Sequence, residues 1–206
     1  MIFYLYGAPA SGKTTLGRRL AAALGVAFVD LDAAIVARAG KPIPEIFAQD
    51  GEAAFRALES STLVATGDEF SQTGRPAVVA LGGGTLLNAD NRAFCERTGA
   101  VFCLEAPTAE ERARRLGLSP GTRPLGDRAQ ERAAHYAGFP CRVAAFFEAQ
   151  DSLVVVGRGI APSLLAGRKT VADSTVASLY PQVTAMTMIP SGENYKTPAT
   201  VAALWQ

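Results

Sequence analysis

The sequence predicts an α/β fold, a domain with a central parallel sheet flanked by helices on both faces. Three observations carry that expectation. Short β-rich runs alternate with helical patterns through the first half of the chain. The first run feeds directly into a glycine-rich turn and then a helix. The chain has 206 residues, 49% of them hydrophobic, which suits one well-packed domain with a small appendage and argues against disorder.

The elements follow in order. Ile2–Tyr6 reads as a buried strand. The segment 13–24 carries Leu16, Leu20 and Leu24 at helical spacing, and Gly25 supplies its C-terminal stop. Residues 27–29 read as a second strand, ending in Asp30-Leu31-Asp32. Helical segments are expected around 33–39 and 52–66, separated by Gly and Pro punctuation. A third strand at 77–81 ends in Gly82-Gly83-Gly84, and a helix at 89–97 leads to a fourth strand at 100–104. A helix over 108–116 starts at a Thr cap, followed by a Gly-, Pro- and Arg-rich loop from 117 to 126. A helical stretch of about twenty residues then leads into Leu153-Val154-Val155-Val156. Beyond Gly157 the chain has four prolines and little charge, which places a boundary between a domain at 1–156 and a short extension at 157–206.

The charge balance, 20 basic against 19 acidic residues, removes any general electrostatic case for nucleic acid or an anionic membrane as partner. Cys95, Cys103 and Cys141 lack metal-ligand spacing and read as reduced thiols. The single histidine, His135, excludes two-His metal sites and is expected to face solvent from a helix. No run approaches the ~20 apolar residues of a membrane helix, so the expected compartment is the cytoplasm.

Gly7-Ala8-Pro9-Ala10-Ser11-Gly12-Lys13-Thr14, with Thr15 after it, fits the Walker A pattern between a strand and a helix. Glycines let backbone N–H groups close around phosphate at the helix N-terminus. Lys13 would bridge the β- and γ-phosphates, and the Thr14 hydroxyl would meet Mg²⁺. This pattern alone leaves kinase, hydrolase, switch protein and transporter motor open. Asp30 and Asp32 fall at the carboxyl end of the neighbouring strand, where such folds bind ligands. One carboxylate can act on Mg²⁺ through water while the other accepts a proton from a hydroxyl, or one can simply cap the next helix.

Further motifs narrow the choice. Residues 40–47 (GKPIPEIF) resemble the G-x-x-I-x-E-I-F segment of shikimate kinases, and residues 51–59 (GEAAFRALE) resemble their G-E-x-x-F-R-x-x-E. Gly82-Gly83-Gly84 with Asn91-Arg92, and Arg123-Pro124-Leu125, resemble the family's G-G-G, N-R and lid R-P-L elements. The resemblance covers residues 1 to about 156. It implies ATP-dependent phosphorylation of the shikimate 3-hydroxyl, with Mg²⁺ as cofactor, shikimate and ATP as small-molecule substrates, and a monomeric domain with a mobile lid. It implies that Lys13, Asp32 and Arg123 are catalytic and that Asp32 binds the ring hydroxyls and activates the attacking one. Arg56 and Arg142 would clamp the substrate carboxylate, beside Gly82, Gly83 and Gly84. Arg115 would lie over the adenine, Arg123 would meet the transferring phosphoryl group, and Thr14 and Asp30 would serve the metal. At Arg142 the family's R-x-P-x-Y is not kept, since Val143-Ala144-Ala145-Phe146 follows.

From about residue 154 the chain resembles the start of 3-dehydroquinate synthase. Gly157-Arg158-Gly159-Ile160, the segment 171–180 and Gly192-Glu193-Asn194-Tyr195-Lys196 carry that likeness, which stops at Gln206. The tail is expected to have no chemistry of its own. The competing readings are another small-metabolite kinase, such as a gluconate or nucleoside monophosphate kinase, and a catalytically silent ATP-binding module.

Overall fold

The computed structural model describes residues 1–105, 108, 117, 132–149, 152–158, 170–173 and 186–189. The chain forms two compact units, Met1–Arg158 and Gly159–Gln206. In the second, β7 (Thr170–Asp173) and β8 (Met186–Ile189) pair in parallel.

The first unit is built on a six-stranded sheet in the order β2-β3-β1-β4-β5-β6. Its strands are β1 (Ile2–Gly7), β2 (Ala27–Asp30), β3 (Ala77–Ala80), β4 (Gly99–Leu104), β5 (Arg142–Ala149) and β6 (Ser152–Arg158). The first five run parallel, and β1 sits between β3 and β4 with every residue buried. Such a strand must be apolar along its whole length rather than alternating, as Ile2-Phe3-Tyr4-Leu5-Tyr6 is.

Side chains leave β1 on alternate faces. Ile2, Tyr4 and Tyr6 enter a core with Phe55, Leu63 and Phe70 of α4 (Gly51–Thr73) and Phe94 of α5 (Ala89–Thr98). On the other face, Leu5 and Phe28 lie against Gly17 of α1 (Lys13–Leu24), with no room there for a Cβ. The stripe Phe55, Glu59, Leu63, Gly67 and Phe70 repeats at three to four residues, so α4 buries one face along its length.

Several elements differ from the sequence expectation. The helix expected at 33–39 begins at Leu31, as α2 (Leu31–Ala39), because Asp30 caps it. The Gly/Pro-punctuated stretch after it holds a further helix, α3 (Ile43–Gln49), in which Pro42 is the N-cap and Pro44 lies in the first turn. Proline is tolerated there because the first N–H groups have no helical partner to lose. The helix expected over 52–66 runs on to Thr73.

The larger difference lies after residue 131. The expected twenty-residue helix is, among the described residues, only α6 (Ala133–Ala137). Pro140 then bars its continuation, and Val143, Phe146 and Phe147 favour a strand. That strand, β5, pairs Cys103 with Arg142 and Leu104 with Val143. Only two residues separate it from β6, too few for a crossover, so β6 returns antiparallel and adds a sixth strand. Gly157 and Arg158 are the last two residues of β6. The expected helix at 108–116 and the loop at 117–126 lie outside the described residues, except Thr108 and Gly117.

His135 does not face solvent freely. It is half-buried, with its ring 5.8 Å from Tyr6 and 5.4 Å from Phe139, because α6 lays this face on β1. Burial and the nearby Arg92 and Arg132 push its pKa down. Cys95 and Cys103 are free thiols, which burial pushes up to about 12 and about 11. Among the described residues, no helix is long and apolar enough to cross a membrane.

Candidate active site

The phosphate-binding loop occupies the turn between β1 and α1. Gly12 caps α1 with φ 95°, a left-handed backbone that glycine adopts without strain. The unpaired N–H groups of the first turn of α1 therefore sit at the loop, as anion binding requires. Lys13 folds back over the loop, its Nζ donating to the carbonyls of Gly7 (3.0 Å) and Ala8 (2.8 Å). Burial lowers its pKa to about 8, against the opposing pull of Asp32 and Asp30.

The loop opens into a cavity of about 680 Å³ lined by Pro9, Ala10, Gly12, Lys13, Thr14, Thr15, Asp30, Asp32, Ala80, Leu81 and Gly83. Parallel pairing of β2, β3 and β1 brings their carboxyl ends together, and with them the two aspartates, the glycine turn and the loop. The Thr14 hydroxyl donates to Asp30 Oδ2 at 2.8 Å, while Asp30 Oδ1 accepts from the Ala33 N–H. Asp30 is thus both helix cap and partner of Thr14. Asp32, in the first turn of α2, keeps its carboxylate for the cavity. Although open to the cavity's water, it is surrounded by enough protein that desolvation raises its pKa. The Asp30 charge adds to that rise, and Lys13 opposes it.

A second pocket, of about 180 Å³, lies beyond the glycine turn and is lined by Glu52, Arg56, Glu59, Ser60, Gly84, Leu87, Asn88, Asn91 and Arg132. Arg56 donates to Glu59 Oε2 at 2.7 Å and to Glu52 Oε1 at 3.3 Å. Glu59 is almost fully buried, and its other oxygen accepts the Thr85 hydroxyl at 2.6 Å. The Thr85 carbonyl in turn accepts from buried Asn91. This chain fixes the Arg56 guanidinium. A Cβ on Gly84 would stand 3.1 Å from Arg132 Nη1 and 3.2 Å from both terminal nitrogens of Arg56. Two guanidiniums therefore converge on one glycine. A Cβ on Gly82 would stand 3.2 Å from Asp32 Oδ1 and 3.0 Å from Glu59 Oε1, so the turn joins the two pockets. Chemically, the site offers a phosphate cradle, a carboxylate of raised proton affinity and an anion-binding fork side by side.

A family model for shikimate kinase matches residues 9–161, most of the chain. The chain belongs to the shikimate kinase family. The shikimate kinase of Salinibacter ruber is 51% identical over 109 residues, covering 52% of this chain and 50% of that protein. The shikimate kinase of Prochlorococcus marinus is 43% identical over 154 residues, 75% of this chain and 76% of that protein. The chain thus matches about half the length of the first relative and three quarters of the second. Among solved structures, the shikimate kinase of Acinetobacter baumannii in complex with shikimate aligns with TM-score 0.59 at 30% identity, covering 73% of this chain and 86% of that one. The shikimate kinase of Bacteroides thetaiotaomicron aligns with TM-score 0.60 at 32% identity, covering 73% and 90%.

The structure brings together the loop residues, Asp30, Asp32, Arg56 and the three glycines. Arg115 and Arg123 lie outside the described residues. Arg142 is placed elsewhere than expected: it opens β5 and pairs with Glu105 at 3.0 Å. Arg132 takes the position beside Arg56. The signal was in the sequence, since Arg132-Ala133-Ala134-His135-Tyr136 keeps the arginine and tyrosine of the shikimate kinase R-x-P-x-Y spacing and loses only the proline. Arg132 stands ten residues before Arg142.

Proposed function

We propose that this protein transfers the γ-phosphoryl group of ATP to the 3-hydroxyl of shikimate, giving shikimate 3-phosphate and ADP on the way to chorismate and the aromatic amino acids. The observation that carries the reading is the join at Gly82: the carboxylate beside the phosphate loop stands within reach of the pocket where Arg56 and Arg132 converge. A substrate bearing a carboxylate at one end and a hydroxyl at the other spans that distance. Arg56 and Arg132 would bind the carboxylate, with Glu52, long-bonded and exposed, exchanged for it. Asp32, its proton affinity raised, would accept the hydroxyl proton as the oxygen attacks. Lys13 would leave the Gly7 and Ala8 carbonyls for the phosphates.

The oxygen donors of Thr14 and Asp30 are hard ligands and suit Mg²⁺, completed by phosphate oxygens and water. That ion would neutralise charge on the phosphates. The roles of Arg115 over adenine and Arg123 at the transferring group rest on the family resemblance, as does a monomeric state. We also hold the likeness of 157–206 to the start of 3-dehydroquinate synthase as a proposal, without chemistry of its own. A coupled ADP-release assay tests the function. Turnover with shikimate, and none with gluconate or a nucleoside monophosphate, is expected. Turnover with one of the latter alone would assign another kinase, and none with any would leave a silent nucleotide-binding module.

A further inference from the structure

We propose that Tyr136 is a positioning residue for the substrate carboxylate, acting with Tyr6 through the carbonyl oxygen of Gly83. The proposal rests on the reading of the Arg56–Arg132 pocket as the carboxylate site. Three donors converge on that one oxygen: the Tyr136 hydroxyl at 2.7 Å, the Tyr6 hydroxyl at 3.2 Å and Arg132 Nη1 at 3.3 Å. They come from different parts of the fold. Tyr6 is the last side chain of β1 before the phosphate loop, while Arg132 and Tyr136 are four residues apart at α6 and so share a helix face. Gly83 itself lies against the loop, where a Cβ would meet Pro9 at 3.0 Å and the Gly7 carbonyl at 3.3 Å.

The geometry has two consequences. A trans peptide aims its carbonyl and the following N–H in opposite directions. Holding the Gly83 oxygen therefore fixes where the Gly84 N–H points, away from the tyrosines. It also anchors Arg132 Nη1, the nitrogen that stands at Gly84 beside the Arg56 guanidinium. Both tyrosines are nearly fully buried, and burial holds the Tyr6 hydroxyl protonated far above neutral pH, so it can only donate to a carbonyl. A carbonyl oxygen has two lone pairs. Losing the shortest of three bonds therefore leaves the oxygen partnered but its plane less constrained.

Replacing the hydroxyl alone tests this, by kinetics and by shikimate calorimetry. Tyr136→Phe should raise KM and Kd for shikimate about three- to tenfold, the range one ordinary hydrogen bond implies. KM for ATP and kcat should stay within about twofold. Tyr6→Phe, which loses a longer bond, should do less. In an Arg132→Lys background, Tyr136→Phe should add little, because the fork it positions is already gone. Unchanged shikimate affinity in Tyr136→Phe would overturn the proposal. So would an equal loss for both substrates together with a lowered melting temperature, which marks a merely structural tyrosine. Absence of shikimate binding by the parent protein would instead strike the proposed function. The positioning claim then still stands or falls on the Gly83 carbonyl carbon resonance, which should move upfield in Tyr136→Phe and would stay in place were the bond unimportant.

Discussion

Asp30 and Asp32 stand two residues apart, and their neighbours give them different tasks. Asp30 spends one oxygen on the Ala33 N–H and the other on Thr14, so its substitution would disturb helix and loop together. Asp32, though open to the cavity, has desolvation by the surrounding protein and a neighbouring carboxylate raising its proton affinity, the setting of a general base. Asp32→Asn should keep nucleotide affinity and lower turnover about 10²–10⁴-fold; turnover within threefold of the parent would place the base elsewhere. Lys13 gives a pH signature. Its pKa of about 8 leaves it charged below that pH and neutral above. Phosphate binding needs the charged form, so kcat/KM for ATP should hold to about pH 8 and then fall about tenfold per unit. A profile flat to pH 9.5 would show that Lys13 does not titrate there. The two arginines separate cleanly. Arg132→Ala should weaken shikimate binding by ~1.5–3 kcal/mol by calorimetry, whereas Arg142→Ala, which breaks a surface pair, should change it little. The reverse order would restore Arg142 to the site.

At the scale of elements, what could be read from sequence depended on how local the signal was. The phosphate loop, α1 and the strands β1, β3 and β4 declare themselves through apolar runs bounded by glycine. The helix α3 hides because Pro42 and Pro44 look like breakers until their first-turn positions are known. The β5–β6 hairpin hides because Ala144 and Ala145 suit a helix, and the opposing signal is confined to Pro140 and the strand-favouring Val143, Phe146 and Phe147. The Glu59–Thr85–Asn91 chain joins residues 26 and 6 positions apart, and no periodic pattern encodes such partners. Strand contacts also predict a specific weakness. Gly99 opens β4 so close to the Ile2 carbonyl that a Cβ would collide with backbone, which cannot swing aside. Gly99→Ala should cost about 1–3 kcal/mol in urea unfolding. An unchanged midpoint would mean that the β1–β4 edge can shift freely.

For the molecule as a whole, the described side chains of the candidate site all belong to the unit Met1–Arg158. A chain ending at Arg158 should therefore keep shikimate-dependent ADP release within a few-fold, and the full chain should show no NAD⁺ binding by calorimetry. A folded but inactive shorter chain would mean that the remaining residues contribute to the site. The place of β1 in the sheet carries one more consequence, for the order in which the molecule can be assembled. Ile2 is bonded in register to Ala77 on one side and Gly99 on the other. β1 is made before either of these neighbours and must wait for both, and long-range pairing of this kind is a slow step. The phosphate loop is therefore made before the strands that support it. Until both neighbours exist, the loop that follows β1 lacks the paired strands that hold it in place.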